Sequence, residues 1–473
     1  MKVLLVGLRN FREIRKGTLT PPIRIATLGA VLKQLGHDVE FIDMKMHALA
    51  DLEEKARGGN YGLFFVFTGI SFTNLSGVTL HSMLEVCELL GKKFPDVPLG
   101  VGGTHAQLAQ EKLLDCPEVK ANADFVVYGE ENVFENLLRA DGIAEDLSKV
   151  RGIIYKSGKA WKNNGPMPFI EDLDSLPMPL FEMMEMRRYK KHSMWVTRGC
   201  PRRCIFCSVP PIYGSTYRAR SPKKVVDEME HVIGKFGKKR YTSCDDDLFV
   251  KKGWMSGLCD EIMSRKLDVE WSLTAAARAD EVELGLLKKM KRAGCTEIGI
   301  GVESGDDRVL RAVRKGVTVE QLKKAMRTMK EAGIRAQAFM IVGNPGETRE
   351  TIENTKRFLR EAKPDNIVVA HALPHPNTGL WEWVDENAEW LNPPFHTLFA
   401  HDKNFALPEP CFETKEFTKE DRMRAMKDLF ALKVASYSLS RLPFVIALWN
   451  IDNNFRYLGD SVKFVEEWVR WRL

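Results

Sequence analysis

Three cysteines, Cys200, Cys204 and Cys207, lie within eight residues, whereas the other six cysteines are scattered along the chain. The group directly follows an apolar segment typical of a β-strand, and Gly199 before it lets the backbone turn without a Cβ clash. In a reducing compartment such a group is typical of metal ligands rather than of disulfides. Thiolates bind iron–sulfur clusters and zinc, so the loop predicts one of these two sites.

The number of cysteines in this loop distinguishes an iron–sulfur cluster from a zinc site. A structural zinc ion needs four ligands, usually as two separated pairs, and no second Cys or His pair with that spacing occurs in the sequence. Three cysteines on a 4Fe-4S cluster leave one iron without a protein ligand, and that open position lets a cluster bind a substrate. We therefore predict that Cys200, Cys204 and Cys207 hold a 4Fe-4S cluster.

Strand and helix signals alternate along the first 140 residues. Strands are predicted at residues 2–7, 39–43, 63–70, 99–102 and 125–128, with helices at 25–35 and 79–94. This alternation predicts an α/β fold with a doubly wound, Rossmann-like parallel sheet. The predicted strands end in polar or glycine-rich segments, and ligands of such sheets bind beyond the carboxyl ends of the strands. A flat cofactor is therefore expected at this edge of the sheet.

A second alternation of strands and helices begins near residue 191. Six strands are predicted at 193–197, 241–244, 270–273, 297–302, 336–342 and 366–371, and they indicate a partial or full barrel of six βα units. Helices are predicted at 417–439 and 461–471, while a proline-rich stretch before the barrel indicates a linker. The predicted parts are residues 1–150 (sheet domain), 151–190 (linker), 191–376 (barrel) and 377–473 (mostly helical extension).

The composition is that of a folded chain with several domains. Of its 473 residues, 44% are hydrophobic and 28% are charged, which excludes disorder along the whole length. The net charge of +6 is spread along the chain, so no nucleic-acid partner is expected. The N-terminus has no signal-peptide pattern, and the longest apolar runs, 63–70 and 442–449, are too short to cross a bilayer. We expect a cytoplasmic protein without a membrane span.

Residues 197–207, Thr-Arg-Gly-Cys-Pro-Arg-Arg-Cys-Ile-Phe-Cys, resemble the cysteine motif of the radical S-adenosylmethionine (SAM) enzymes. Residues 245–249, 299–305 and 340–347, at the ends of the second, fourth and fifth predicted barrel strands, resemble the segments that hold the amine, ribose and adenine of SAM. Arg278 is implied either as the partner of Glu303 or as a contact to the SAM carboxylate. The implied SAM-binding residues are Phe206, Asp246, Arg278, Glu303, Ser304, Gly343 and Glu347.

Four segments of the N-terminal half, residues 20–30, 35–39, 101–106 and 128–131, are similar to the cobalamin-binding domain that many radical SAM proteins carry. The resemblance implies cobalamin at the strand ends described above. Residues 43–47 do not match the Asp-x-His-x-x-Gly signature that supplies a histidine to cobalt, so no lower axial histidine is predicted. The implied cobalamin-binding residues are Leu8, Arg9, Ser71, Thr73, Gly102, Gly103, Thr104, His105, Gly129 and Glu130.

Together the two resemblances imply a cobalamin-dependent radical SAM C-methyltransferase, which abstracts hydrogen from an unactivated carbon and transfers a methyl group from methylcobalamin. The implied cofactors are a 4Fe-4S cluster, SAM and cobalamin, and the implied partner is an electron-donor protein of the flavodoxin or ferredoxin type. Among substrates we favour a peptide or protein side chain, because no apolar surface segment suited to a lipid is evident. Two alternatives stay open: a cyclase or rearrangement enzyme without net methylation, similar to the anaerobic porphyrin-ester cyclases, and a cobalamin-binding regulator whose cluster is structural.

Overall fold

The computed structural model describes residues 1–8, 19–68, 77–139, 142–243, 245, 247–391 and 409–435. The chain forms two units. The first unit contains Met1–Cys200 and Ser208–Cys244, and the second contains Pro201–Cys207 and the chain from Asp245 onward. The four-part division at residues 150, 190 and 376 stays a prediction.

The described part of the first 163 residues contains nine strands. They are β1 (Lys2–Gly7), β2 (Asp38–Asp43), β3 (Leu63–Thr68), β4 (Leu99–Gly103), β5 (Phe125–Val127), β6 (Leu138–Arg139), β7 (Gly142–Ile143), β8 (Ile153–Ser157) and β9 (Ala160–Asn163). Seven of them form one sheet in the order β2-β1-β3-β4-β5-β8-β9, in which β1 to β5 are parallel. The predicted doubly wound α/β arrangement is thus confirmed.

Helices follow most of these strands, as a parallel sheet requires. They are α1 (Ile23–Gln34), α2 (Leu49–Gly58), α3 (Gly77–Lys93), α4 (Thr104–Ala109), α5 (Pro117–Asn122) and α6 (Val133–Leu137). The sequence of β3, Leu-Phe-Phe-Val-Phe-Thr, is buried at every position. Such an unbroken apolar run is expected of a parallel strand that is covered on both faces.

The strand order of this sheet reverses between β1 and β3. Ligands of parallel sheets bind in the crevice that such a reversal leaves at the carboxyl ends of the strands. Here the two strands end at Gly7 and Thr68, and α1 follows β1 in the chain. The first turn of α1 therefore lies at the edge where the sequence predicts a cofactor.

The segment predicted as a linker, residues 151–190, begins with structure that the sequence analysis missed. β8 pairs antiparallel with β5, and β9 pairs antiparallel with β8. A two-residue turn at Gly158 and Lys159 joins them, and Gly158 has a positive φ of 63°. Glycine in a two-residue turn is a hairpin signal. From Asn164 to Lys191 the chain contains only short 3-10 turns, at Leu173–Ser175, Phe181–Met183 and Met186–Arg188.

The rest of the first unit contains four strands and two helices. They are β10 (His192–Met194), β11 (Thr197–Arg198), α7 (Val209–Tyr213), β12 (Arg218–Ala219), α8 (Pro222–Phe236) and β13 (Arg240–Ser243). β10 and β13 are parallel, while β11 and β12 form an antiparallel pair that flanks the cysteine motif in the sequence. The hydroxyl of Ser221 accepts a hydrogen bond from the Lys224 amide and caps α8.

The second unit contains four parallel strands and the helices that connect them. In chain order these are α9 (Lys252–Ser264), β14 (Glu270–Ala277), α10 (Leu284–Arg292), β15 (Cys295–Glu303), α11 (Asp307–Ala312), α12 (Val319–Glu331), β16 (Arg335–Val342), α13 (Arg349–Ala362) and β17 (Asn366–His371). With β10 and β13 they account for all six strands predicted for the barrel.

The C-terminal extension contains two helices and a short strand pair in its described part. These are α14 (Gly379–Asn387), β18 (Glu389–Trp390), β19 (Phe412–Glu413) and α15 (Lys419–Ala435). α15 lies within the helix predicted at 417–439, and the helix predicted at 461–471 falls outside the described residues. In the described part of the chain, no helix combines the length and the apolar character that a membrane crossing requires.

Candidate functional site

The cysteine motif begins with a sharp turn after β11. Gly199 has a φ of +80°, and a Cβ there would lie 2.2 Å from the carbonyl oxygen of Thr216. The amide of Cys200 donates to the carbonyl oxygen of Gly214 at 3.4 Å, and the Cys200 side chain is buried. As the sequence predicts, only glycine fits at the start of this loop.

Backbone hydrogen bonds hold the second part of the motif from both sides. The Ile205 amide donates to the carbonyl oxygen of Val313 at 3.2 Å, and the Leu380 amide donates to the carbonyl oxygen of Ile205 at 2.8 Å. The Cys207 amide donates to the carbonyl oxygen of Cys204 at 3.1 Å, which closes a turn between the two cysteines. The segment from Cys204 to Cys207 is thus held in place within the second unit.

The charges around Cys204 suit a thiolate. Burial and the charge of Glu303 raise the pKa of the Cys204 thiol, while the positive charges of Lys315 and Arg278 act to lower it. The thiolate is the form that binds iron, so these cations favour the predicted use of the residue. No three His, Cys, Asp or Glu side chains of the described residues are placed to hold a single metal ion. The thiolates of a cluster bind separate irons, so the loop still fits the predicted group.

Glu303 ends β15 with a positive φ of 63° and is buried. Its carboxylate lies 2.7 Å from the ammonium of Lys315, which is also buried. The ammonium in turn lies 5.9 Å from the centre of the Phe206 ring, in the cysteine loop. The sequence analysis missed Lys315, which lies in the loop between α11 and α12, directly before Gly316.

Arg278 is therefore not the partner of Glu303, which was one of its two implied roles. Its guanidinium donates to the carbonyl oxygens of Lys315 at 2.6 Å and Gly316 at 3.2 Å, and it pairs with Asp280. The arginine thus holds the backbone of the segment that carries Lys315. A contact between Arg278 and the SAM carboxylate stays a prediction.

Two buried carboxyl groups lie beside the cysteine loop. Asp246, an implied SAM contact, is outside the described residues, but its neighbour Asp247 is buried. Burial, followed by the nearby charge of Glu281, raises the pKa of Asp247 to about 7. Arg202, between the first two cysteines, contacts Glu281 and has its Nε 4.0 Å from Asp247. The run of three aspartates was the only sequence signal for this pair.

The remaining implied SAM residues lie in the turns that follow β15 and β16. Ser304 is fully buried, and its hydroxyl lies 3.3 Å from that of Thr355. Gly343 has a φ of +100°, and its amide donates to the carboxyl group of Glu347. Burial raises the pKa of Glu347 to about 8. These contacts shape the two turns, and direct contacts with SAM stay predictions.

The implied cobalamin residues that are described lie at the ends of β1, β4 and β5. Leu8, Thr104, His105 and Glu130 are buried, and the Thr104 hydroxyl donates to the carbonyl oxygen of Thr68 at 3.2 Å. Arg9, Ser71 and Thr73 fall outside the described residues. The described members, which also include Gly102, Gly103 and Gly129, share the edge of the sheet at which ligands bind, as predicted.

The carboxylate of Glu130 is occupied by partners within the first unit. It accepts hydrogen bonds from Arg218 at 2.8 and 3.0 Å and from the Ile170 amide at 2.7 Å, and Arg198 lies 3.2 Å away. Burial acts to raise the pKa of Glu130, but the two arginines hold it below its usual value. The residue therefore joins the end of β5 to the strands β11 and β12, and its contact with cobalamin stays a prediction.

Arg24, in the first turn of α1, is a residue that the sequence analysis missed. It is 6% exposed and donates to the side-chain carbonyl oxygen of Gln107 at 2.8 Å. Its guanidinium lies 4.9 to 5.3 Å from the ring centres of Phe67, Trp195 and Tyr213. Among the described residues, its Nε and Nη1 find no hydrogen-bond partner. Two donors are thus free at the reversal between β1 and β3, and the sequence signal was one arginine in an apolar helix.

Comparison with known proteins gives two family matches. Residues 15–138 match the family described as B12 binding domain, and residues 194–359 match the radical SAM superfamily. The chain is 27% identical over 441 residues to an uncharacterized methyltransferase of Pyrococcus horikoshii, covering 91% of this chain and 92% of that protein. It is 29% identical over 406 residues to the anaerobic magnesium-protoporphyrin IX monomethyl ester cyclase of Cereibacter sphaeroides, covering 82% of this chain and 63% of the cyclase.

The likeness to solved structures extends over the whole chain. The radical SAM methyltransferase TsrM of Kitasatospora setae, with cobalamin and a [4Fe-4S] cluster bound, has a TM-score of 0.74 at 17% identity. The likeness covers 100% of this chain and 99% of that one. At this identity it shows the fold alone, and it confirms the predicted fold class.

Proposed function

From the radical SAM domain matched at residues 194–359 and the B12-binding domain matched at residues 15–138, we propose that the chain transfers a methyl group from methylcobalamin to an unactivated carbon. The radical SAM domain implies a 4Fe-4S cluster and SAM, and the B12-binding domain implies cobalamin. When bound, these groups supply a 5'-deoxyadenosyl radical and a methyl group, and the protein supplies binding, orientation and charge.

One observation carries the proposal: the cysteine loop lies against the ends of two strands of the second unit. Phe206 packs against the same apolar cluster as Ile341, which lies near the end of β16. Its ring faces Lys315, the partner of Glu303 at the end of β15. Active sites of (β/α) barrels lie at the carboxyl ends of the strands. We therefore place the SAM site at this edge, with Cys200, Cys204 and Cys207 as cluster ligands.

Within that site Lys315 has two tasks in the proposal. It neutralises Glu303, so that a buried carboxylate can face a bound nucleoside without an unpaired charge. It also places a positive charge near Cys204, which favours the thiolate. Arg278 supports both tasks, because it binds the carbonyl oxygens of Lys315 and Gly316.

On the cobalamin side, the two free donors of Arg24 suit a carbonyl or phosphate oxygen, both of which cobalamin carries. Burying the Nε and Nη1 of a guanidinium without acceptors is costly, so a bound acceptor would stabilise this site. Arg24 lies at the strand-order reversal where ligands of such sheets bind. We assign it to cobalamin binding in addition to the residues implied by the sequence.

Methylation is favoured over cyclisation by the extent of the likeness. The relative named as a methyltransferase is covered almost end to end, whereas the cyclase is covered over 63% of its length. A peptide or protein side chain is the proposed substrate, and an electron-donor protein of flavodoxin or ferredoxin type is the proposed reductant.

The test uses anaerobically purified full-length protein with reductant, hydroxocobalamin, trideuteromethyl-SAM and a peptide extract of the source cells. Methyl transfer predicts S-adenosylhomocysteine and 5'-deoxyadenosine in about equal amounts, and a product that gains the deuterated methyl group. The triple variant with Cys200, Cys204 and Cys207 changed to alanine is the control and should form neither SAM product. Deoxyadenosine without S-adenosylhomocysteine, in the presence of a consumed substrate, would favour the cyclase alternative.

A further inference from the structure

Arg422, on α15 of the C-terminal extension, is 1% exposed. Its Nη1 donates to the carbonyl oxygen of Gly343 at 3.2 Å, and its Nε donates to the carbonyl oxygen of Phe417 at 3.2 Å. Its guanidinium also lies 4.1 Å from the centre of the Phe412 ring. A charged side chain from the extension is therefore buried against the end of β16.

The turn after β16 leaves room for this arginine. A Cβ on Gly343 would lie 2.2 Å from Nη1 of Arg422, and the φ of +100° at Gly343 is one that other residues rarely adopt. The same turn is closed by the hydrogen bond from the Gly343 amide to Glu347. Arg422 thus contacts the backbone of the turn at residues 343–347.

The aromatic ring under Arg422 links this turn to the cysteine loop. Phe412 belongs to an apolar cluster with Ala372, Leu380 and other buried residues, against which Ile205 and Phe206 pack. The Leu380 amide also donates to the carbonyl oxygen of Ile205. One cluster therefore contacts both Arg422 and the segment between Cys204 and Cys207.

Ion pairs fix α15 on the neighbouring helix α13, which follows the same turn. Arg349 pairs with Asp421 at 2.6 Å, and Lys356 pairs with Asp428 at 3.2 Å. Lys356 and Asp428 are largely buried, so this pair restricts the position of α15 more than an exposed pair would. Arg422 is accordingly held on a rigid support.

We propose that Arg422 is a positioning residue for SAM. It fixes the position of the turn at residues 343–347 relative to the cysteine loop. This inference rests on the proposed function, since it takes both segments as parts of the SAM site. It gives the C-terminal extension a task in SAM binding, which nothing in its sequence indicates. Arg422 itself need not touch SAM, because its contacts act through the Gly343 carbonyl and the Phe412 ring.

The test compares Arg422→Gln with Arg424→Gln, because Arg424 lies on the same helix but is exposed. Reconstituted full-length protein with an oxidised cluster is dialysed against radiolabelled SAM, and the iron content is measured in parallel. We expect R422Q to weaken SAM binding about tenfold with its iron and cobalamin retained, and R424Q to match the wild type. Arg422→Lys, which keeps the charge but not the planar stacking, should lie between the two. A wild-type dissociation constant in R422Q would overturn the inference.

Phe412→Leu keeps the inference testable if R422Q does not fold. This variant retains apolar volume and Arg422 but removes the ring face, and we expect about threefold weaker SAM binding with an altered electron paramagnetic resonance signal of the reduced cluster on SAM addition. Unchanged binding and an unchanged signal in F412L would also overturn the inference. If the wild-type protein binds no SAM, the proposed function itself fails, and that result is distinct from either outcome for Arg422.

Discussion

The ammonium of Lys315 lies 2.7 Å from the carboxylate of Glu303, and both side chains are more than nine-tenths buried. Removing one partner of such a pair leaves the other charge buried and unpaired, which costs about 3 to 5 kcal/mol. Lys315→Met should therefore lower the free energy of unfolding by about that amount and weaken SAM binding at least tenfold. Urea denaturation of the cluster-free protein and dialysis against SAM measure the two effects.

A matched control for this prediction is Lys323→Met, because Lys323 pairs with Glu361 at the surface. Exposed pairs contribute about 1 kcal/mol or less, so this variant should resemble the wild type. The double variant Glu303→Gln with Lys315→Met should recover part of the lost stability, since it leaves no buried charge. If K315M is as stable as K323M, the buried pair does not have the assigned role.

The cluster assignment predicts about four irons per chain in anaerobically reconstituted protein. Changing Cys200, Cys204 and Cys207 to alanine should remove this iron and the broad visible absorbance. Cys295→Ala is the control, because Cys295 is a buried thiol on β15 outside the loop. Iron that stays in the triple variant, or leaves with C295A alone, would show that the ligands were assigned wrongly.

We predict that Arg24 strengthens the binding of cobalamin. Arg24→Gln removes the two free donors and should weaken binding of hydroxocobalamin to the full-length protein about tenfold, as followed by absorbance titration. Lys33→Gln, an exposed change on the same helix, should have no effect. Equal affinity of R24Q and wild type would remove Arg24 from the site, and no binding by the wild type would contradict the cobalamin assignment as a whole.

Because of Asp247, we predict that the free energy of unfolding depends on pH. Burial and then Glu281 raise its pKa to about 7 in the folded protein, above an unfolded value near 3.9. The resulting stabilisation is present below pH ~4 and is lost as the pH rises to about 7, because the buried carboxyl group must then ionise. Asp247→Asn should therefore be more stable than wild type at pH 8, by up to about 4 kcal/mol, and nearly equal at pH 4.

Urea denaturation of cluster-free protein at pH 4, 6 and 8 measures this difference. Asp96→Asn, an exposed change, serves as the control and should show no pH-dependent gain. Glu281→Gln removes the neighbouring charge and should reduce the gain from D247N. A gain that is the same at all three pH values would mean that folding does not raise the pKa of Asp247.

Much of the site follows from local spacing in the sequence. The cysteine loop is one short segment, and the strands that precede the predicted SAM segments are apolar runs with a clear period. Each of these motifs directly follows a predicted strand in the sequence. Its position at the end of that strand could therefore be predicted without the structure. The two-residue turn at Gly158 was a local signal as well, although the hairpin it joins was predicted as part of the linker.

The sequence by itself determined the α/β class, the cysteine loop and the strand ends that carry the candidate site. The tertiary structure decided which charges meet, because side chains distant in the chain pair only after the sheets and helices have packed. In the folded protein Lys315, and not Arg278, is the partner of Glu303. The tertiary structure brought Arg24 to Gln107 across 83 residues and Arg422 to Gly343 across 79. The periodicity of the sequence cannot predict such contacts. A charged or polar side chain needs a protein partner only when folding has buried it away from water.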